Sequence, residues 1–181
     1  MTPDRQPPTE YGLSLGSNLG DRLANLRRAR TALGALPETT IVAASGVYQS
    51  EPVDVAPAFR NMPFLNAVLI VSSGLGPPVF ARHVHGIEKR LGRRRTDDRN
   101  APRPIDVDLI YAGELCLRGA ELTLPHPRWH TRRFVVQPLA DVRPDLVLHG
   151  QTLAVKDILL SLPASPRVVL YSEDWQDTIE N

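Results

Sequence analysis

Ile105-Asp106-Val107-Asp108-Leu109-Ile110-Tyr111 alternates acidic and apolar residues directly after Pro102-Arg103-Pro104. A period of two is that of a β-strand, so Asp106, Asp108 and Ile110 share one face and Ile105, Val107, Leu109 and Tyr111 share the other. Two carboxylates two residues apart on a strand have Cα atoms about 6.5 to 7 Å apart. Burying such a like-charged pair without a partner is costly, which calls for a positive group between them. Magnesium fits, because it commonly keeps one or two carboxylates and fills its other positions with water and phosphate oxygens. The plainer alternative is two solvated acids on the wet face of an edge strand.

The residues before this strand favour the metal. Residues 93–104 have no apolar periodicity and read as a loop of about a dozen residues, a length that in compact domains usually signals function or disorder. From Arg82 to Arg103 eight basic residues (Arg82, Lys89, Arg90, Arg93, Arg94, Arg95, Arg99, Arg103) face three acidic ones, a local charge of +5. Guanidiniums for phosphate beside carboxylates for a cation are what a nucleotide triphosphate site needs. Further upstream, Pro77 and Pro78 suit a first helical turn, and Phe80, Val84, Ile87 and Leu91 follow at helical spacing.

Toward the N-terminus, residues 64–71 and 41–48 read as strands, separated by a Pro- and Ala-rich loop over 50–63. Residues 11–15 form a strand that ends in the tight turn Gly16-Ser17-Asn18-Leu19-Gly20, and Asp21 opens a helix with Leu23, Leu26, Leu33 and Leu36 on one side. Past the opening stretch, residues 122–124 suggest a strand, 130–139 a short helix, 152–162 a last helix and 167–171 a closing strand. The order β-α-β-β-α-β with additions predicts an α+β fold, a mostly antiparallel sheet with helices on its faces. One domain over residues 11–171 is expected, with a flexible extension at 1–10 and an acidic tail at 172–181.

The 181 residues include 21 Lys plus Arg, 20 Asp plus Glu, 42% apolar residues and one cysteine, Cys116. A lone cysteine builds neither an internal disulfide nor a thiolate zinc site, and no apolar run approaches the about 20 residues that span a bilayer. Residues 1–10 have no apolar signal core. A cytoplasmic protein, a monomer with no membrane partner, is therefore expected. Neither a Walker P-loop nor a dinucleotide fingerprint is present. At 6% aromatic residues the chain lacks the stacking array of an RNA-binding sheet, which argues against nucleic acid. His126 sits between Pro125 and Pro127; with His130 it has i, i+4 spacing, but Pro127 interrupts any helix that would make them a zinc pair.

Four motifs in this order, Ser14-Leu15-Gly16-Ser17-Asn18-Leu19-Gly20-Asp21, Phe64-Leu65-Asn66-Ala67, Ala101-Pro102-Arg103-Pro104-Ile105-Asp106-Val107-Asp108-Leu109, and Leu124-Pro125-His126-Pro127 followed by Arg132 and Phe134, resemble the 6-hydroxymethyl-7,8-dihydropterin pyrophosphokinase family of folate biosynthesis. The resemblance covers about residues 11–162. It implies a ferredoxin-like three-layer α/β/α fold, two Mg2+ ions, and transfer of a pyrophosphoryl group from ATP to the pterin hydroxymethyl oxygen with release of AMP. By the same resemblance Asp106 and Asp108 are the magnesium ligands, and Arg93 and Arg103 belong to a catalytic loop that closes over the phosphates. Glu88, Arg95, Arg99, Leu109, Thr123, His126 and Arg132 fall at ATP-contacting positions. Ser50, Val53, Phe64, Asn66, Asn100 and Phe134 fall on the pterin side, with Phe64 and Phe134 sandwiching the ring. Asn100 stands where some members carry a loop tryptophan, Thr96 where some have lysine, His85 where some have glutamine, and Glu121 where some have arginine.

Two other functions compete with this one. A magnesium-dependent kinase transferring only the γ-phosphoryl group would release ADP. A basic ferredoxin-like RNA-binding module would bind through the 82–103 stripe without turnover, in a salt-dependent way and without need of Asp106 or Asp108.

Overall fold

A computed structural model of the chain describes residues 7–52, 57–93 and 101–176. In chain order these form β1 (Thr9–Ser17), α1 (Arg22–Gly34), β2 (Thr39–Ala44), β3 (Val47–Ser50), a 3-10 turn at Pro57–Phe59, β4 (Phe64–Ser73), α2 (Pro77–Arg90) and β5 (Asp106–Ala112). There follow the small hairpin β6 (Leu117–Arg118) and β7 (Thr123–Leu124), a 3-10 turn at Trp129–Thr131, α3 (Arg133–Val142), α4 (Val155–Ser161) and β8 (Val168–Ser172). The main sheet is antiparallel in every pairing, in the order β5-β1-β4-β3-β8, with β2 also pairing β4. With β2 and β3 taken as one bent strand, this is the expected ferredoxin-like arrangement.

Strand alternation decides which helix lies on which face. On β4, Leu65, Ala67, Leu69 and Val71 join Leu26, Ala29 and Leu33 of α1 and Phe80, Val84 and Ile87 of α2 in one core. Val68 and Ile70 point the other way, into a second core with Val135, Val136 and Leu139 of α3 and Val155 and Ile158 of α4. The sheet is thus sandwiched between two helical layers. α1 starts where the sequence places it, because Asp21 caps it by accepting the Ala24 N–H at 3.0 Å. α2 starts on the two prolines at its first turn.

Five local expectations are corrected. The strand expected over 41–48 is two strands, broken at Ser45 and Gly46. Ser45 donates its N–H to the Val68 carbonyl and accepts the Val68 N–H on its hydroxyl at 2.8 Å, so a side chain replaces one rung of the ladder. Strict alternation fails at the end of β5. There the register against β1 shifts between Gly12 and Leu13, Ile110 is the extra residue, and Tyr111 turns to the second core beside Ile110. Gly12 makes that bulge possible, since a Cβ there would lie 2.2 Å from Tyr111 Cε1. The helix expected over 130–139 is a 3-10 turn and then α3, separated by extended Arg132, and the last helix covers only Val155–Ser161. Finally, Trp175, assigned to an acidic tail, is 1% exposed and donates its indole N–H to the Ser45 carbonyl.

Candidate active site

The sheet register assembles the site. Asp106 lies opposite Gly16 and Asp108 opposite Ser14 on β1, and Gly16 in turn lies opposite Asn66 on β4. Directly opposed residues of antiparallel strands point to the same side, so Asp106, Gly16 and Asn66 form a row on the α3 face. Gly16 keeps the middle of that row low: a Cβ there would sit 3.5 Å from Asn66 Oδ1 and 3.7 Å from Phe64 Cδ1. Asn66 is buried and donates its amide to the Ser50 hydroxyl at 2.8 Å. Phe134, at the start of α3, is met by Arg132, whose guanidinium carbon lies 5.7 Å from the ring centre.

Guanidiniums surround the aspartates. Asp106 meets Arg93 Nη1 at 2.5 Å and Arg103 Nε at 3.5 Å, and Asp108 has Arg132 Nη1 at 3.8 Å. Arg93 also pairs with Glu88, which is buried on α2 and accepts the Val107 N–H at 2.8 Å. Burial pushes the Glu88 carboxyl up to about 7, against the pull of the Val107 N–H and of Arg93. Crowding by protein, and then the charge of Asp106, push Asp108 up to about 6.

Beyond the outer edge of β5 lies a cavity of about 180 Å³ lined by residues of α2, β5 and the β6–β7 hairpin region, among them His85, Asp108, Leu109, Glu121, Thr123 and His126. Val107 faces Leu15 across the ladder yet gives its N–H to Glu88, so it points outward. Leu109, two residues on, therefore also presents its backbone N–H and C=O to this cavity. His126 is fastened to the same edge by its N–H, which donates to the Ile110 carbonyl at 2.7 Å. Its Nδ1 accepts the Arg128 N–H at 3.1 Å, which leaves the ring proton on Nε2. Burial, with Arg132 and Arg128 nearby, pushes its pKa down to about 4. We expect a titration of the ring followed by NMR to find His126 neutral, with Nε2 protonated, from pH 5.5 to 8; a midpoint near 6.5 would contradict this environment.

The structure thus brings Asp106, Asp108, Arg93, Arg103 and Arg132 together, gathers Leu109, Thr123 and His126 with Asp108 around one cavity, and groups Ser50, Phe64 and Asn66. Glu88 stands behind the cavity with its carboxylate engaged by protein. Val53, Arg95, Arg99 and Asn100 lie outside the described residues, as does Thr96. Spacing alone does not reveal Glu88 as the partner of Arg93, because the contact depends on how α2 lies against β5. Asn18, quoted within a motif without a role, turns out to hold the backbone of Arg103 on both sides, donating its N–H to the Arg103 carbonyl and accepting the Arg103 N–H on Oδ1.

The donor set fits magnesium. Asp106 and Asp108 offer only hard carboxylate oxygens, and their mutual repulsion is relieved by a cation. Two carboxylates suit an ion that takes few protein ligands and fills its other positions with water and phosphate oxygens.

The family model described as 7,8-dihydro-6-hydroxymethylpterin-pyrophosphokinase matches residues 12–144. The chain is 38% identical over 136 residues to the 2-amino-4-hydroxy-6-hydroxymethyldihydropteridine pyrophosphokinase of Pseudomonas aeruginosa, covering 75% of this chain and 82% of that one. It is 37% identical over 157 residues to the protein of the same name from Methylorubrum extorquens, covering 87% and 96%. Among solved structures it is similar in fold to HPPK-DHPS of Plasmodium falciparum, with a TM-score of 0.67 and 13% identity over 87% of this chain and 44% of that one.

Proposed function

The chain belongs to the 7,8-dihydro-6-hydroxymethylpterin-pyrophosphokinase family, and we propose that the site just described carries out that family's transfer through the residues named there. The reaction is pyrophosphoryl transfer from ATP to 6-hydroxymethyl-7,8-dihydropterin in folate biosynthesis. The pterin hydroxymethyl oxygen forms a bond to the β-phosphorus, and the bond from that phosphorus to the α,β-bridging oxygen breaks. AMP leaves with the bridging oxygen, and the hydroxyl proton goes to solvent.

The observation that carries the assignment of roles is the row Asp106, Gly16, Asn66. The Asp106 carboxylate and the Asn66 amide flank Gly16, one strand away on each side, which supports reading the first as the phosphate side, the second as the pterin side and the glycine between them as room for the reacting atoms. Asn66, backed by Ser50, reads the polar edge of the ring, with Val53 and Asn100 at the same pocket. Phe64 and Phe134 hold the ring's faces. Adenine enters the cavity beside Leu109, whose outward N–H and C=O match its donor and acceptor edge, while Thr123 and the Nε2 proton of His126 serve the rest of the nucleotide.

Arg93, Arg103 and Arg132 take the phosphate oxygens, with Arg95 and Arg99 adding to the loop that excludes water as a competing nucleophile. A triphosphate competes with Asp106 and Asp108 for those guanidiniums. Asp106 and Asp108 are then left to hold Mg2+, two ions by our reading. Bound there, magnesium would offset phosphate charge and polarise the β-phosphorus. Glu88 acts from behind by steadying Arg93. The working unit is a single domain over residues 11–171, a cytoplasmic monomer without a nucleic-acid partner. No helix among the described residues is long and apolar enough to cross a membrane.

Product analysis tests the reaction. Incubation with ATP, magnesium and the pterin should release AMP only when the pterin is present. ADP in its place would move the reading to a γ-phosphoryl kinase, and no turnover with salt-dependent RNA binding would favour the binding module.

A further inference from the structure

The turn between β1 and α1 has no part in the chemistry above, yet it is built more firmly than a connection needs to be. Asp21 caps α1. Asn25, inside the helix and buried, reaches back to donate its amide to the Leu19 carbonyl at 2.9 Å and to the Ser17 hydroxyl at 3.4 Å. Gly20 supplies the positive φ of 68° that closes the turn. These contacts immobilise the stretch that carries Asn18, itself 3% exposed.

Asn18 then reaches out of the turn to the root of the arginine-rich loop. Its N–H donates to the Arg103 carbonyl at 3.3 Å, and its Oδ1 accepts the Arg103 N–H at 2.9 Å. The first bond extends the β1–β5 pairing beyond Gly16 and Asp106. The second satisfies an amide in a Pro-Arg-Pro segment that makes no ladder of its own. Both hold the Arg103 backbone, and the Arg103 guanidine sits 3.5 Å from Asp106. Among the described residues the other half of the Asn18 amide, Nδ2, is buried without a hydrogen-bond partner. Within the described residues the side chain is engaged through its oxygen.

We propose that Asn18 is a positioning residue for pyrophosphoryl transfer, the fixed point from which Arg103 is held over the phosphates beside Asp106. The inference rests on the reading of Arg103 as a phosphate ligand. A group that positions a transition-state contact acts on turnover more than on substrate affinity, since small misplacements of such contacts cost large rate factors. Asn18→Ala should lower kcat about tenfold or more, with KM for the pterin within about twofold of wild type.

A double-mutant cycle separates this role from plain stabilisation. In an Arg103→Ala background, Asn18→Ala should lower the remaining kcat by no more than about twofold, because its effect passes through Arg103. An equal factor in both backgrounds overturns the inference while leaving the assigned reaction intact. Wild-type turnover by Arg103→Ala alone overturns the reading of Arg103 itself, and the positioning role with it. Melting temperatures of all four proteins show whether a loss of kcat reflects unfolding, and a loss explained wholly by unfolding counts against the proposal.

Discussion

Asp106→Ala is expected to reduce pterin-dependent AMP release by about a thousandfold or more, with the fold retained. The magnitude follows from removing a group that acts on the transferring phosphates, the class of interaction that dominates such reactions. Retention of the fold follows from where the side chain sits. Asp106 is at the rim, its side chain 22% exposed, and its neighbours have other partners: Arg93 keeps Glu88. Its loss also lifts the like charge that helps to push Asp108 up to about 6. The measurement is kcat together with the melting temperature. Unchanged turnover would sink the assignment of Asp106 to the metal and phosphates, whereas loss of both turnover and fold would show a structural role for the carboxylate. A companion titration of magnesium in the presence of ATP should find weakened binding in the variant.

The parts of this site that sequence reveals are those set by local periodicity. Alternation along β5 places Asp106 and Asp108 on one face, and four-three spacing marks α2 and the helix turn that carries Glu88, because both patterns are the geometry of a single element. Parts that depend on two distant segments meeting are silent in the sequence. The bulge at Ile110 requires the absent side chain of Gly12, about a hundred residues earlier. The break between β2 and β3 requires Ser45 to serve Val68, and the burial of Trp175 requires the carbonyl of Ser45. Each is a tertiary hydrogen bond or a shared void, and no spacing rule reports it.

The family motifs carry information of a third kind. Their order along the chain points to ATP and pterin contacts at single positions, yet it does not say which side chains touch ligand and which hold those that do. Asn18 lies in one such motif and Glu88 at a position the resemblance assigns to ATP, and in the structure both hold protein groups: Asn18 the backbone of Arg103 through its Oδ1, Glu88 the Val107 N–H and Arg93. The two arginines that face Asp106 thus each have a buried neighbour behind them. This division between contacting arginines and fixed supports is the arrangement that preorganised electrostatics needs, since an unheld guanidinium would have to reorganise as charge develops.

Glu88 provides the second large test. Replacing it with leucine leaves the Val107 N–H without its acceptor and deprives Arg93 of one of two carboxylates, in a place where the Glu88 side chain is only 5% exposed. Stranding a buried donor and half of an ion pair should cost about 2–4 kcal/mol of stability, and the displaced Arg93 should lower turnover by about one to two orders of magnitude. Glu88→Gln keeps an oxygen for Val107 and should lose less of both. The two substitutions also differ from wild type in their response to pH, and the sign is fixed. The Glu88 carboxyl is held at about 7 when folded against an ordinary value of 4.5, so between those values the folded chain keeps a proton that the unfolded chain has released. Its contribution to stability is complete below about pH 4.5 and fades as the pH rises through about 7. In Glu88→Gln that component vanishes, so the melting temperature of wild type should fall relative to the variant as pH is raised from 4.5 to 8. Parallel profiles would mean that the carboxyl is ionised throughout, and that the Arg93 pair outweighs burial at the back of the site.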